Sequence, residues 1–261
     1  MTVADADLVA AIESTLHIYP PVPGLVDALG VPGLQGRVTK VSHPLANLVG
    51  MARLDDRSAD AAIARVKKVY ADRRLAFGWV VGPNTTPHDL RQRLTAADIK
   101  KEGESVHGMA LTDLDIETRP TTDADIREVH PTDALGCTEM MGRAYGMPTA
   151  VAAFFAKLLA ADTGIQTRSY FAYVGDKPVA WSYLVYVSSS PIVLLGGAGT
   201  LPEQRGRGIY SALVKRRLDD ARADGREAAI IQAGHMSAPI CKTLGFRDLC
   251  TLDFHVWSPP S

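Results

Sequence analysis

Charge of one sign is what this sequence most plainly lacks. Its 261 residues carry 28 Lys+Arg against 29 Asp+Glu, a formal net charge of -1. The balance also holds locally, with 13 of each sign in residues 1–114 and 15 basic against 16 acidic in residues 115–261. A protein that grips nucleic acid displaces phosphate counterions with a basic excess, and no stretch here supplies one. Cysteine is scarce too. Cys137, Cys241 and Cys250 are odd in number and lack a CxxC spacing, which argues against a disulfide framework and for a reducing, cytoplasmic home. The seven histidines are scattered, and no His/Cys/Asp/Glu group has zinc-site spacing, so no metal is expected. Nowhere do ~18 apolar residues run together, so no membrane span is expected. Residues 1–16 mix Asp5, Asp7 and Glu13 with apolar residues and do not read as a signal peptide.

Apolar residues make up 46% and charged residues 22%, close to the globular average and enough for a real core. Strand and helix periodicities alternate, the mark of a mixed α and β fold. Helices are expected over 5–16, from Ser58 as N-cap to about Arg74, and from Thr86 as cap with Pro87 at the first helical position. Strands are expected around Val38 and Val41, over 48–51 and over 75–81. A boundary is placed near 113–118, before a fresh start at Arg119. Helices follow over 123–130 and 149–161, then a hairpin of 169–174 and 178–187 joined by Gly175-Asp176. Further strands are expected over 192–200, 227–233 and 249–257, with helices over 208–223 and 239–244. In the helix over 208–223, Tyr210, Leu213, Val214, Leu218 and Ala221 form one apolar arc. Arg217 interrupts that arc, and its head group is expected to snorkel to solvent.

The stretch that carries chemistry is Gly-Thr-Leu-Pro-Glu-Gln-Arg-Gly-Arg-Gly-Ile-Tyr-Ser, residues 199–211. A strand ends, a short glycine-containing loop follows, and a helix begins at once. Glycines let the main chain approach an anion closely, and the first helical amides have no internal partners. With the helix dipole this makes a site suited to phosphate or pyrophosphate. A Walker loop needs four residues between its glycines and then Gly-Lys-Ser/Thr, which are absent. A dinucleotide fingerprint needs a third glycine where Ser211 stands.

The segment resembles the pyrophosphate loop of the GNAT superfamily of acetyl-CoA-dependent N-acetyltransferases, whose signature is Gln/Arg-x-x-Gly-x-Gly/Ala. Arg205-Gly206-Arg207-Gly208-Ile209 matches its core, and Leu244-Gly245-Phe246-Arg247 resembles the family's closing Leu-Gly-Phe motif. The resemblance spans about residues 116–261. The first half, through Trp79-Val80-Val81-Gly82-Pro83, Pro87-His88-Asp89-Leu90 and Gly108-Met109-Ala110, resembles the degenerate leading domain of tandem members. The resemblance implies an α+β fold, a mixed, mostly antiparallel sheet flanked by helices, in two tandem lobes: 1–114 degenerate, 115–261 binding acetyl-CoA.

It further implies that Gln204, Arg205, Gly206, Arg207, Gly208, Ile209 and Tyr210 hold the pyrophosphate. The main chain of Gly199, Thr200 and Leu201 would pair with the pantetheine arm where two strands splay, and a backbone amide near 199–201 would meet the oxyanion. The family's frequent proton-donating Tyr falls at Cys241 here, and its frequent Asn at Gly234. Cys241 is thus a candidate acid, with packing as the other reading. Glu139 is a candidate general base, with solvated helix surface as its alternative, and His235 stands beside it as another. The expected activity is direct transfer of an acetyl group to a primary amine of a small acceptor, by a monomer or homodimer. The alternatives are a CoA-binding sensor or partner module without turnover, and a transferase of another acyl group.

Overall fold

The computed structural model describes residues 3–117 and 120–260; residues 118–119, on the expected boundary, lie outside them. In chain order the elements are α1 (Asp5–Ser14), β1 (Asp27–Ala28), β2 (Gln35–Val38), β3 (Leu48–Gly50), α2 (Ala59–Ala71), β4 (Phe77–Val81), α3 (Leu90–Ala96), β5 (Lys100–Lys101), β6 (Val106–Leu111) and β7 (Asp125–Val129). Then come α4 (Thr138–Tyr145), α5 (Thr149–Ala160), β8 (Thr167–Val174), β9 (Lys177–Tyr186), β10 (Ile192–Thr200), α6 (Ile209–Ala223), β11 (Ala228–Ala233), α7 (Ala238–Thr243) and β12 (Arg247–Trp257). The fold is α+β. Among the described pairings β3–β4 and β10–β11 are parallel and the others antiparallel.

The chain divides into two compact units, each discontinuous in sequence: Met1–Ile12 with Gly108–Leu249, and Glu13–His107 with Cys250–Ser261. Both differ from the contiguous pieces 1–114 and 115–261. Periodicity shows that an element exists but not which core it joins, so the exchange of the two ends is invisible in sequence.

In the unit of 13–107 and 250–261, all five residues of β4 are buried, as its continuous apolar run requires of a strand covered on both faces. It pairs in parallel with β3 and antiparallel with β12. Ile63, Val66 and Tyr70 of α2 and Leu90 and Leu94 of α3 pack into the same core as Phe77 and Trp79. Two expected caps are not formed. Ser58 makes no side-chain cap bond; the Asp55 carboxylate accepts from the Arg57 and Ser58 amides instead. The third helix begins at Leu90 rather than Pro87, with Asp89 as the flanking residue and as acceptor from Arg93. Val41 lies outside the strands, in a turn around Thr39 and Asn47.

In the other unit, β7, β8, β9 and β10 form antiparallel neighbours and β11 joins β10 in parallel, with α6 as the crossover. The β8–β9 hairpin turns at Gly175-Asp176 as expected. The helix expected over 123–130 is instead the edge strand β7; only Ile126 and Val129 of Asp-Ile-Arg-Glu-Val are partly buried, and pairing with β8 outweighs its helix-compatible composition. Alternation along β9 sends Trp181 toward Tyr145 of α4 and Tyr186 toward Asp224, the residue that caps the end of α6. On that second face Tyr170 donates to Asp220 at 2.8 Å.

Arg217 does not snorkel. It is fully buried, and its guanidinium donates to the carbonyls of Leu213 (3.0 Å), Tyr183 (3.1 Å) and Gly196 (3.1 Å). Three carbonyls, one in its own helix and two in the sheet, repay part of the cost of burying that charge. Such a partner set depends on the strands beneath the helix and cannot be read from helical periodicity.

Candidate active site

The site forms where β10 and β11 part. They pair only through Ile192↔Ala228, Val193↔Ala229 and Leu194↔Ile230, although β10 runs on to Thr200 and β11 to Ala233. On its other side β10 stays with β9 through a bulge between Gly196 and Gly199. The Leu201 amide donates to the Val179 carbonyl at 2.9 Å. Alternation then turns the Thr200 amide toward the opened edge. Leu201 is therefore corrected as a candidate oxyanion donor, since its N–H is already committed.

Past β10 the chain makes one 3-10 turn, Pro202–Gln204, then the glycine loop, then the 15 residues of α6. Gly206 and Gly208 both adopt left-handed φ, +76° and +71°, a conformation that costs other residues dearly. Gly208 also packs against the Thr121 carbonyl, where a Cβ would collide. Helix propensity alone makes alanine the better residue at 208, and the backbone reverses that preference. Among the described residues, the amides of 206–211 meet no protein acceptor. They form a concave cradle at the head of the helix, suited to the oxygens of a phosphate or pyrophosphate.

A cavity of about 530 Å³ opens beside the cradle, within the range of small-ligand sites. Gly199, Thr200, Gln204, Arg205, Gly206, Gly208, Ile209 and Tyr210 all line it. Two further expected residues do not. Leu201 is buried, and Arg207 turns away to pair with Asp123 and Gln204. Arg205 donates to the Thr200 carbonyl (3.2 Å) and the Ala144 carbonyl (3.4 Å), tying loop, strand end and α4 together. The Thr200 hydroxyl is buried on the cavity wall with no partner among the described residues.

Neither candidate catalytic side chain reaches the cavity. Cys241 is fully buried in α7, its thiol pushed up by burial and covered by the Tyr210 hydroxyl at 3.4 Å. Glu139 is exposed on α4 and absent from the cavity wall, so its role as base is not supported by position. His235, the other base weighed from sequence, does line the cavity at its exposed end. Sequence reasoning missed Ala144 and Tyr145, which enter from a helix some 60 residues upstream; nothing in that helix's local pattern signals the contact. Among the described residues no group of His, Cys, Asp and Glu could hold a metal ion, and no helix is long and apolar enough to cross a membrane.

A mixed sheet with a central parting and an amide cradle at the following helix defines the class of α+β fold. Comparison narrows the fold further. No protein-family model matches the sequence, and no curated protein sequence matches it either. Solved structures do match. A GCN5-related N-acetyltransferase from Kribbella flavida superposes with a TM-score of 0.68 at 15% identity, covering 100% of this chain and 97% of that one. A functionally unknown conserved protein from Staphylococcus epidermidis gives 0.61 at 12% identity, over 92% and 96%. A tandem GNAT protein from the clavulanic acid biosynthesis pathway gives 0.62 at 12% identity, over 87% and 79%. This chain has the fold of the GCN5-related N-acetyltransferases, in the form found in a tandem member.

Proposed function

We propose that this protein is an N-acetyltransferase that takes its acetyl group from acetyl-CoA and passes it directly to a primary amine of a small acceptor. The observation that carries the reading is the cradle of unpartnered amides at 206–211, set beside the opened edge of β10 and a cavity of about 530 Å³. The likeness in fold to GCN5-related N-acetyltransferases supports it. The cradle would hold the pyrophosphate, and the opened edge around Ala198–Thr200 would pair with the extended pantetheine arm like an added strand. Bound there, acetyl-CoA supplies an activated thioester carbonyl. In this reading the Thr200 amide stabilises the oxyanion as the amine attacks. His235 or a water chain removes the amine's proton. The cavity wall contains no carboxylate, which favours an acceptor of low positive charge.

The test is a thermal-denaturation series with acetyl-CoA. A ligand that binds only the folded state stabilises it by RT ln(1 + L/Kd), with L the free ligand concentration, so Tm keeps rising with ligand concentration. A rise that grows between 10 μM and 1 mM is expected, and no shift at 1 mM would remove the reading. A second reading, a CoA-binding module without turnover, is favoured by the withdrawal of both Cys241 and Glu139 from the cavity. Thiol release from acetyl-CoA over a panel of primary amines separates the two.

A further inference from the structure

Arg217 of α6 is fully buried, and no carboxylate neutralises it among the described residues. A buried charge without an opposite charge costs more than an apolar side chain of similar volume. Leu213, Val214, Leu218 and Ala221 of the same helix are buried, and another aliphatic side chain would continue that arc at less cost. What the guanidinium adds is a particular set of bonds. One nitrogen, Nη1, donates to the carbonyls of both Tyr183 and Gly196 at 3.1 Å. These residues face each other across β9 and β10 and are the last pair before the register shifts.

The next pair is Gly199↔Trp181, so two residues of β10 oppose Ser182 alone. That is a β-bulge, and Gly197 takes a left-handed φ of +57° within it. The extra residue reverses which backbone groups face which neighbour. Before the bulge the Ile192 carbonyl accepts from the Val187 amide at 3.1 Å, so Ile192, Leu194 and Gly196 face β9. Beyond it the Leu201 amide donates to Val179, so Gly199 and Leu201 face β9 and Thr200 faces the opened edge. A β10 without the bulge would present Gly199 and Leu201 at that edge and turn the Thr200 amide toward β9.

Resting on the acyltransferase reading, we propose that Arg217 is a positioning residue: by tying the Gly196 and Tyr183 carbonyls together it fixes the bulge, and the bulge aims the Thr200 amide at the acyl donor. Its Nε donates to the Leu213 carbonyl one turn back in α6 at 3.0 Å, which anchors the planar fork to the helix while Nη1 holds the sheet. The same helix carries the amide cradle at its start. One element therefore locates both the pyrophosphate and the strand edge that receives the pantetheine arm.

The experiment compares wild type, Arg217→Met and Arg217→Lys, each first checked for a cooperative thermal transition. Titration calorimetry with CoA and with 3′-phospho-ADP, which keeps the pyrophosphate and lacks the pantetheine arm, separates the cradle from the strand edge. Amide exchange by NMR reads Thr200 directly, and thiol release with acetyl-CoA and a panel of primary amines reads kcat. Wild type should bind CoA about 10-fold more tightly than 3′-phospho-ADP, the worth of one or two hydrogen bonds, and CoA should protect the Thr200 amide. Arg217→Met should hold 3′-phospho-ADP within about 3-fold of wild type yet lose the preference for CoA. It should also lose the Thr200 protection and ~10²-fold of kcat, as when one oxyanion donor is removed. Arg217→Lys, a point charge in place of a fork, should fall between the two. Should Arg217→Met not fold, Arg217→Lys decides: a ~10-fold lower kcat with 3′-phospho-ADP binding intact supports the role, and wild-type kcat overturns it. A folded Arg217→Met that keeps kcat, CoA preference and Thr200 protection overturns the proposal, as does failure of both variants to fold. Protection by CoA at the Gly199 amide instead of Thr200 overturns the register. A wild type that binds neither nucleotide overturns the acyltransferase reading beneath it.

Discussion

Three histidines of the unit formed by 13–107 and 250–261 are held below their ordinary pKa by burial. His17 is the extreme case, pushed down to about 3, chiefly by desolvation and then by the Arg37 charge. Its Nε2 is buried without a partner among the described residues. His43 and His255 are lowered in the same direction, desolvation again leading. A folded-state pKa below the unfolded value of about 6.5 means that the unfolded chain binds the proton more readily. The stabilisation is therefore complete above pH 6.5 and is lost as pH falls toward 3. We predict that urea-unfolding stability declines below pH 6.5, with His17 contributing at most ~1.4 kcal/mol per pH unit. Its imidazole resonances should stay in the neutral form from pH 8 to 5; a His17 midpoint near 6.5 by NMR would contradict the buried placement.

At the scale of the element, the loop into α6 separates two glycines whose sequence roles look alike. Gly206 has open space around its missing side chain, so Gly206→Ala meets only the left-handed φ penalty, about 1–2 kcal/mol. Gly208→Ala meets that penalty and the Thr121 carbonyl as well, for about 2–5 kcal/mol together. Thermal denaturation should therefore show Gly208→Ala as the much less stable variant. Gly206→Ala is then the cleaner probe of the cradle: it should remain folded and bind CoA ~10-fold more weakly. Unchanged CoA affinity in a folded Gly206→Ala would mean that the loop amides hold no ligand.

For the whole molecule the consequential fact is that neither compact unit is a continuous stretch of chain. Leu8 and Ile12 are fully buried and belong with 108–249, where the Ile12 carbonyl accepts from Gln232 at 2.8 Å. At the other end, residues 253–257 of β12 pair with β4, and Asp253 gathers Arg91 (2.7 Å), Lys101 (2.7 Å) and Ser105 (2.5 Å). A fragment of residues 115–261 lacks the first helix and leaves its last strand without β4. We expect such a fragment to show no cooperative thermal transition by circular dichroism, whereas the full chain melts cooperatively. A fragment that melts like the intact protein would favour the contiguous division at 114.

Much of this was legible in residue order, because the deciding physics is local. Periodicity located β10 at 192–200 and nearly all of α6, and the glycine spacing of 205–208 marked the cradle, since left-handed φ and a helix start are properties of a few adjacent residues. What tertiary structure decided were the partners. The edge strand at 125–129 read as helix because its pairing partner β8 lies some 40 residues on. Arg217 read as surface because the carbonyls that receive it belong to β9 and β10. Cys241 stood open between acid and packing, and only the tertiary structure shows it buried with the Tyr210 phenol covering it. Local propensities are small, and a buried contact outweighs them wherever the chain folds back on itself, so contacts between distant segments determined which of these residues meet the cavity.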